Sequence, residues 1–149
     1  MIRPTRLNYK FFRSLLWHQN KHHKHGVFAH SLKVVYYLMT VNRYDLVPAG
    51  FLHDIGKPFV AYQKDEDKAS GDYSFTNHEE ISYRLIKNFA SDKTCEMVRY
   101  HYHIRAMQKA KERNQIGKYN RYKRQYDKLS TETKADLRVF LAADDCGKL

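Results

Sequence analysis

The chain has 149 residues, 42% hydrophobic and 29% charged, a balance that supports a buried core and excludes wholesale disorder. Lysine and arginine number 27 against 16 acids, a formal charge of +11 that favours polyanionic partners. Only two cysteines occur, Cys95 and Cys146, with no CxxC, which excludes a disulfide scaffold and cysteine-ligated zinc.

No apolar run nears the ~20 residues that span a bilayer, and Met1-Ile2-Arg3 opens no export signal. A single cytoplasmic domain over residues 1–149 is expected, with no membrane association and no obligate protein partner.

Thr5 to Asn20 spaces Leu7, Phe11, Phe12, Leu15 and Leu16 along one face of a helix. After His22-His23-Lys24-His25-Gly26, a second helix is expected to run to about Val41 on Val27, Val34, Leu38 and Val41. Asp45 is placed to cap a third through Asp54, with Pro48 near its start and Gly56 at its end. Lys57 to Asn77 is polar and broken, hence a loop. Thr76-Asn77-His78-Glu79 matches a capping box ahead of an Ile81, Leu85, Phe89 stripe. Ser91 or Asp92 caps a helix carrying Met97, Val98 and Ile104 that is expected to reach Gln115. Gly117 breaks the pattern, Lys118 to Lys128 is basic and tyrosine-rich, and Ser130 or Thr131 opens a last helix to Gly147. No segment alternates long enough to be a strand. The fold class is all-α, a helical bundle of about six or seven helices.

Nine histidines are many for such a domain, and several fall on apolar faces. His30 follows Val27 by three and precedes Val34 by four. His53 follows Ala49 by four, His78 precedes Ile81 by three, and His101 lies between Val98 and Ile104. Asp144 follows Phe140 by four and Leu137 by seven, which turns a carboxylate inward. Each histidine alone reads as a hydrogen-bonded core residue. Together, on five predicted helices, they compose a donor set for Mn, Fe, Co, Ni or Zn. Buried carboxylates need a partner or an ion. At the end of the third helix, His53 and Asp54 are adjacent, Gly56 relieves crowding, and Lys57 supplies a cation for an anionic substrate.

The string Leu52-His53-Asp54-Ile55-Gly56-Lys57-Pro58 resembles the signature of the HD-domain metal-dependent phosphohydrolases. The resemblance extends from Phe28 to Asp145, through Val27-Phe28-Ala29-His30, Thr76-Asn77-His78-Glu79, Val98-Arg99-Tyr100-His101 and Ala143-Asp144. It looks closest to the HD domains attached to bacterial tRNA nucleotidyltransferases. It implies an HD-fold bundle in which His30, His53, Asp54 and Asp144 hold one divalent ion. In the binuclear branch Asp54 bridges to a second ion on His78 and His101. The metal would be Mn, Fe, Ni, Co, Mg or Zn. Asp145 rivals Asp144, although the phase of Leu137, Phe140 and Leu141 favours Asp144. The chain lacks the motifs of the cyclic-di-GMP, alarmone and dNTP-hydrolysing branches, and it carries no nucleotidyltransferase domain.

The resemblance implies a phosphodiesterase or phosphatase acting on a nucleotide or on single-stranded nucleic acid. Asp54 and Lys57 are the expected catalytic residues, with His101 as proton donor if it is not a ligand. Arg105 to Lys128 holds nine basic residues against Glu112 and Asp127, interleaved with Tyr119, Tyr122 and Tyr126. That pattern is either a solvated basic face or a grip for a single strand. Lys57, His103, Arg105, Arg121, Lys123 and Arg124 are the candidate substrate contacts. The loop histidines His22, His23 and His25 read as solvated. The alternatives are a mixed-valent di-iron oxygenase of the same superfamily and a non-catalytic nucleotide- or RNA-binding module.

Overall fold

The computed structural model describes residues 19–149. The helix expected over Thr5 to Asn20 therefore lies outside the described residues apart from Gln19 and Asn20. Six helices of nine residues or more carry the described architecture: α1 (Val27–Thr40), α4 (His78–Ile86), α5 (Asp92–Tyr100), α6 (His103–Glu112), α7 (Ile116–Asp127) and α8 (Thr131–Gly147). Two short helices, α2 (Val47–Leu52) and α3 (Lys57–Val60), complete it. Among the described residues there is no strand, only two isolated bridges, so the all-α expectation holds.

α1 packs against α8 and α2, α4 against α5, and α6 against α7. Leu38, Leu46, Ile86, Met97, Val98, Leu137 and Phe140 fill the space between them, and their removal from water is the main force closing the bundle. Cys95 and Cys146 are both free.

Several local expectations are corrected. Asp45 is not a cap: it sits in a 3-10 turn, Tyr44–Leu46, paired with Arg43 at 2.8 Å and Lys93 at 2.8 Å. Lys57 to Asn77 is not all loop, because α3 and a second 3-10 turn, Asp65–Asp67, lie within it. The capping box does not form. Asn77, in the left-handed region at φ 60°, occupies the cap of α4 without a side-chain bond, and Glu79 is buried instead. The inward face of α4 is also not the expected one: Leu85 and Phe89 are exposed, whereas His78, Glu79, Ser82 and Ile86 are buried. A helix to Gln115 is interrupted at His101 and Tyr102. There the His101 imidazole bonds the Val98 carbonyl and competes with the backbone for that acceptor. Gly117 lies inside α7, and the break falls at Asn114, with φ 54°. The caps Ser91 and Ser130 form as expected, each accepting a backbone N–H.

One contact governs how α4 approaches the His53-Asp54 corner. The Gly56 N–H donates to Ser82 Oγ at 2.8 Å, and a Cβ at Gly56 would lie 2.5 Å from the His78 carbonyl oxygen. Backbone cannot yield to that overlap. Gly56→Ala is accordingly expected to cost about 2–4 kcal/mol, read as a lowered urea midpoint. The ionic cluster supplies a second expectation. Hydrogen bonds from Arg43, and then from Lys93, outweigh burial and hold Asp45 below the usual carboxylate range. Its contribution, less than about 1 kcal/mol because the pair is half-exposed, is present above pH ~4 and lost as the pH falls further. The stability gap between wild type and Asp45→Asn should therefore narrow as the pH falls below ~4, as denaturant midpoints at pH 7 and pH 3 would register.

Candidate metal centre

Four histidines and two aspartates converge from five places in the chain: His30 on α1, His53 and Asp54 after α2, His78 opening α4, His101 after α5, and Asp144 on α8. The four imidazoles and Asp54 are all buried. His30 Nε2 lies 2.9 Å from Asp144 Oδ1 and 3.3 Å from His53 Nε2. His53 Nε2 lies 3.3 Å from Asp54 Oδ2 and 3.5 Å from Asp144 Oδ1. The other oxygen of Asp54 is 3.2 Å from His78 Nε2 and 4.0 Å from His101 Nε2. His78 and His101 bring their Nε2 atoms within 3.2 Å. Asp54 thus stands between two imidazole pairs.

The imidazoles are aimed by one local device used three times. His53 Nδ1 donates to the Gly50 carbonyl at 2.8 Å, His78 Nδ1 to Phe75 at 2.9 Å, and His101 Nδ1 to Val98 at 2.7 Å. A carbonyl can only accept, so Nδ1 carries the proton and Nε2 is left facing the cluster. The Nε2 atoms of His78 and His101 lie 3.2 Å apart and both face Asp54 Oδ1, close enough for one ion to take all three as ligands. Two donor triads meet the spacing for a metal ion, His30–His53–Asp54 and Asp54–His78–His101, each with its ligand atoms within 4.8 Å. Carbonyl-anchored imidazoles beside carboxylates match how metal-binding histidines are oriented. The residues present therefore fit a divalent ion of the N/O-preferring kind.

The electrostatics agree. Burial lowers His101 to about 3, aided by the neighbouring His53 and His78 charges, so the ring is neutral and free to ligate. Burial also works against a charged His53, but Asp54 and Asp144 overcome it and raise that imidazole to about 9. Burial alone would raise Asp54; His53 and Lys57 outweigh it and hold the carboxyl well below its usual range. Asp144 is likewise held low, its burial cost offset by bonds from His30 and His53 and by Lys148. Positive charge from His53, Lys57 and Lys148 thus offsets the two carboxylates.

Other expected site residues fall in different surroundings. Lys57 is buried, 2.6 Å from both Asp54 Oδ2 and Gln19 Oε1, so its ammonium is committed within the protein. Asp145 pairs with Arg105 and, at 2.9 Å, with Lys148, while Asp144 meets His30. His103 is buried, its Nε2 donating to Gln125 Oε1 at 2.6 Å and its ring set against Tyr100 and Tyr122. Arg121 lies over the Tyr122 ring, Lys123 pairs with Asp127 at 2.5 Å, and Arg124 is exposed. His23, expected in solvent, is half-buried with its ring 5.1 Å from that of His30.

Sequence reasoning passed over Gln19, Lys148 and Tyr102. Lys148 bonds Asp144 Oδ2 at 2.9 Å, one turn away on the same helix, a spacing that is legible. Tyr102 packs 5.9 Å from the His78 ring, with no periodic signal to mark it. A cavity of about 520 Å³ opens elsewhere, between α5 and α8, among Lys93, Glu96, Arg99 and Asp136. None of the six donor residues lines it, and its charges are paired with one another and with neighbouring side chains, so it is not the chemical centre.

A family model described as HD domain matches residues 27–132, more than two-thirds of the chain. Five of the six donor residues fall within that span, and Asp144 lies just beyond it. No curated protein and no solved structure matches the chain. If each triad holds an ion, His78→Ala should lower bound Mn from about two to about one per chain while the His30 side stays loaded, as elemental analysis after dialysis would show.

Proposed function

The chain belongs to the HD-domain family, and from that membership we propose that it is a metal-dependent phosphohydrolase cleaving a phosphoester of a nucleotide or of single-stranded nucleic acid. The observation that carries this reading is the Asp54 carboxylate set between two imidazole pairs whose Nε2 atoms converge on it. His30, His53, Asp54 and Asp144 would hold one divalent ion, and Asp54, His78 and His101 a second. Such ions supply a lowered pKa for a coordinated water and polarisation of a phosphoryl oxygen.

The remaining work falls to the chain. Lys57 keeps Asp54 ionised and oriented through its 2.6 Å contact, so that both carboxylate oxygens stay available to the imidazoles. The carbonyls of Gly50, Phe75 and Val98 hold three imidazoles in one tautomer. Lys148 steadies Asp144 from the solvent side. In this arrangement Lys57 acts on the substrate only through Asp54. His101 serves as a ligand, and the proton for the leaving oxygen comes from water. Buried donors that need not reorganise as charge develops are the main catalytic resource of such a site.

The +11 charge supports a multiply anionic substrate over a small neutral one. The decisive experiment crosses Mn, Mg, Ni, Co and Fe with mononucleotides, 2′,3′-cyclic nucleotides, cyclic dinucleotides and short oligonucleotides. Phosphoester cleavage is expected with at least one pair, abolished by EDTA and reduced at least about a hundredfold in Asp54→Ala. Dioxygen uptake with Fe(II) and no cleavage would instead favour the oxygenase chemistry, and binding without turnover the non-catalytic module.

A further inference from the structure

Beyond the donor cluster, α6 carries a stripe of cations outward. Tyr102, Arg105, Lys109 and Arg113 follow one another at three- and four-residue spacing, so they share a face. Tyr102 anchors that stripe to the metal centre through its contact with the His78 ring. The Lys109 ammonium stands 5.9 Å over the Tyr102 ring. Arg105 is neutralised by Asp145, and Lys148 by Asp144 and Asp145. Lys109 is half-buried yet has no carboxylate within ion-pair distance among the described residues. Burial, and then the positive charges of Lys148, Arg105, Arg113 and Lys118, push its pKa below the usual lysine value.

A half-buried cation, crowded by like charges and given no acid, is a cost to the free protein that an anion would relieve. The stripe starts at a donor imidazole, so the anion belongs to the molecule bound at the centre. We propose that Lys109, held over the Tyr102 ring beside the centre, is a subsite for a second, non-scissile phosphate, so that the protein prefers substrates carrying two phosphate groups. Lysine suits that task as a point charge that reads no particular orientation of the phosphate oxygens. The inference rests on the phosphohydrolase reading only for which of the two phosphates is cleaved.

The test uses the full chain loaded with Mn and two probes, a phosphorothioate-linked diadenosine with and without a 5′-phosphate, titrated calorimetrically at fixed salt. Wild type should bind the 5′-phosphorylated probe about tenfold more tightly. Lys109→Gln should erase that preference while leaving affinity for the unphosphorylated probe and the melting temperature unchanged. Lys109→Arg should restore it, and Lys111→Gln, on the exposed side of the same helix, should not alter it. Equal affinity of wild type for the two probes, binding of neither, or a preference that survives Lys109→Gln overturns the subsite. Preference without cleavage of any phosphoester would retire the hydrolase reading and leave the subsite standing; cleavage without preference would do the reverse.

Discussion

Everything in this molecule is arranged around the buried carboxylate of Asp54. One of its oxygens meets Lys57 and His53, the other meets His78. A lone carboxylate in that position would be prohibitively costly. Its ionised form exists because the Lys57 ammonium and the His53 imidazole sit against it, and the imidazoles around it come from segments spread between His30 and His101. The packing of α1, α2, α4 and α5 is therefore inseparable from the polar cluster they enclose. The cluster also explains why α4 turns Ser82 and Glu79 inward and leaves Leu85 and Phe89 in solvent.

Aiming the donors required little machinery. In each of three cases an imidazole reaches back three residues to a main-chain carbonyl, at Gly50, Phe75 and Val98. The bond fixes the Nδ1 proton in all three, and at Gly50 and Val98 it falls where a helix ends. Close approach is then secured by absent side chains. Gly56 lets α4 descend on the His53-Asp54 corner. At the far end of α8, a Cβ on Gly147 would lie 2.9 Å from His30 Nδ1, so only glycine lets that helix close over the ring.

Charge is distributed unevenly around this centre. The acids nearest the rim, Asp144 and Asp145, are matched by Lys148 and Arg105, whereas Lys109 and Arg113 have no carboxylate within ion-pair distance among the described residues. The +11 excess is thus not spread as a uniform coat. On α7 part of it is neutralised locally, as in the Lys123–Asp127 pair. Part of the unmatched charge, Lys109 and Arg113, lies along the face that begins at Tyr102, and there a polyanion would be drawn toward the metal centre.

How much of this was legible in the sequence follows from which forces are local. Helical character, the Ser91 and Ser130 caps, the inward phase of Asp144 and the adjacent His53-Asp54 pair are properties of short segments and are legible in the chain, whereas the inward face of α4 was not. Both the all-α class and the family resemblance rested on them. What misread was decided by partners distant in sequence. Asp45 looked like a cap until Arg43 and Lys93 claimed it. Glu79 looked like a capping acid until His78 drew its turn into the core. The helix through His101 looked continuous until that imidazole took a carbonyl. The free ammonium expected at Lys57 is bound to Gln19 and Asp54, and the unpaired one at Lys109 stood out only once the positions of every acid were known. Local pattern determines which residues can be donors; only the tertiary structure decides which donors already have acceptors, because that depends on neighbours brought together by burial rather than by spacing.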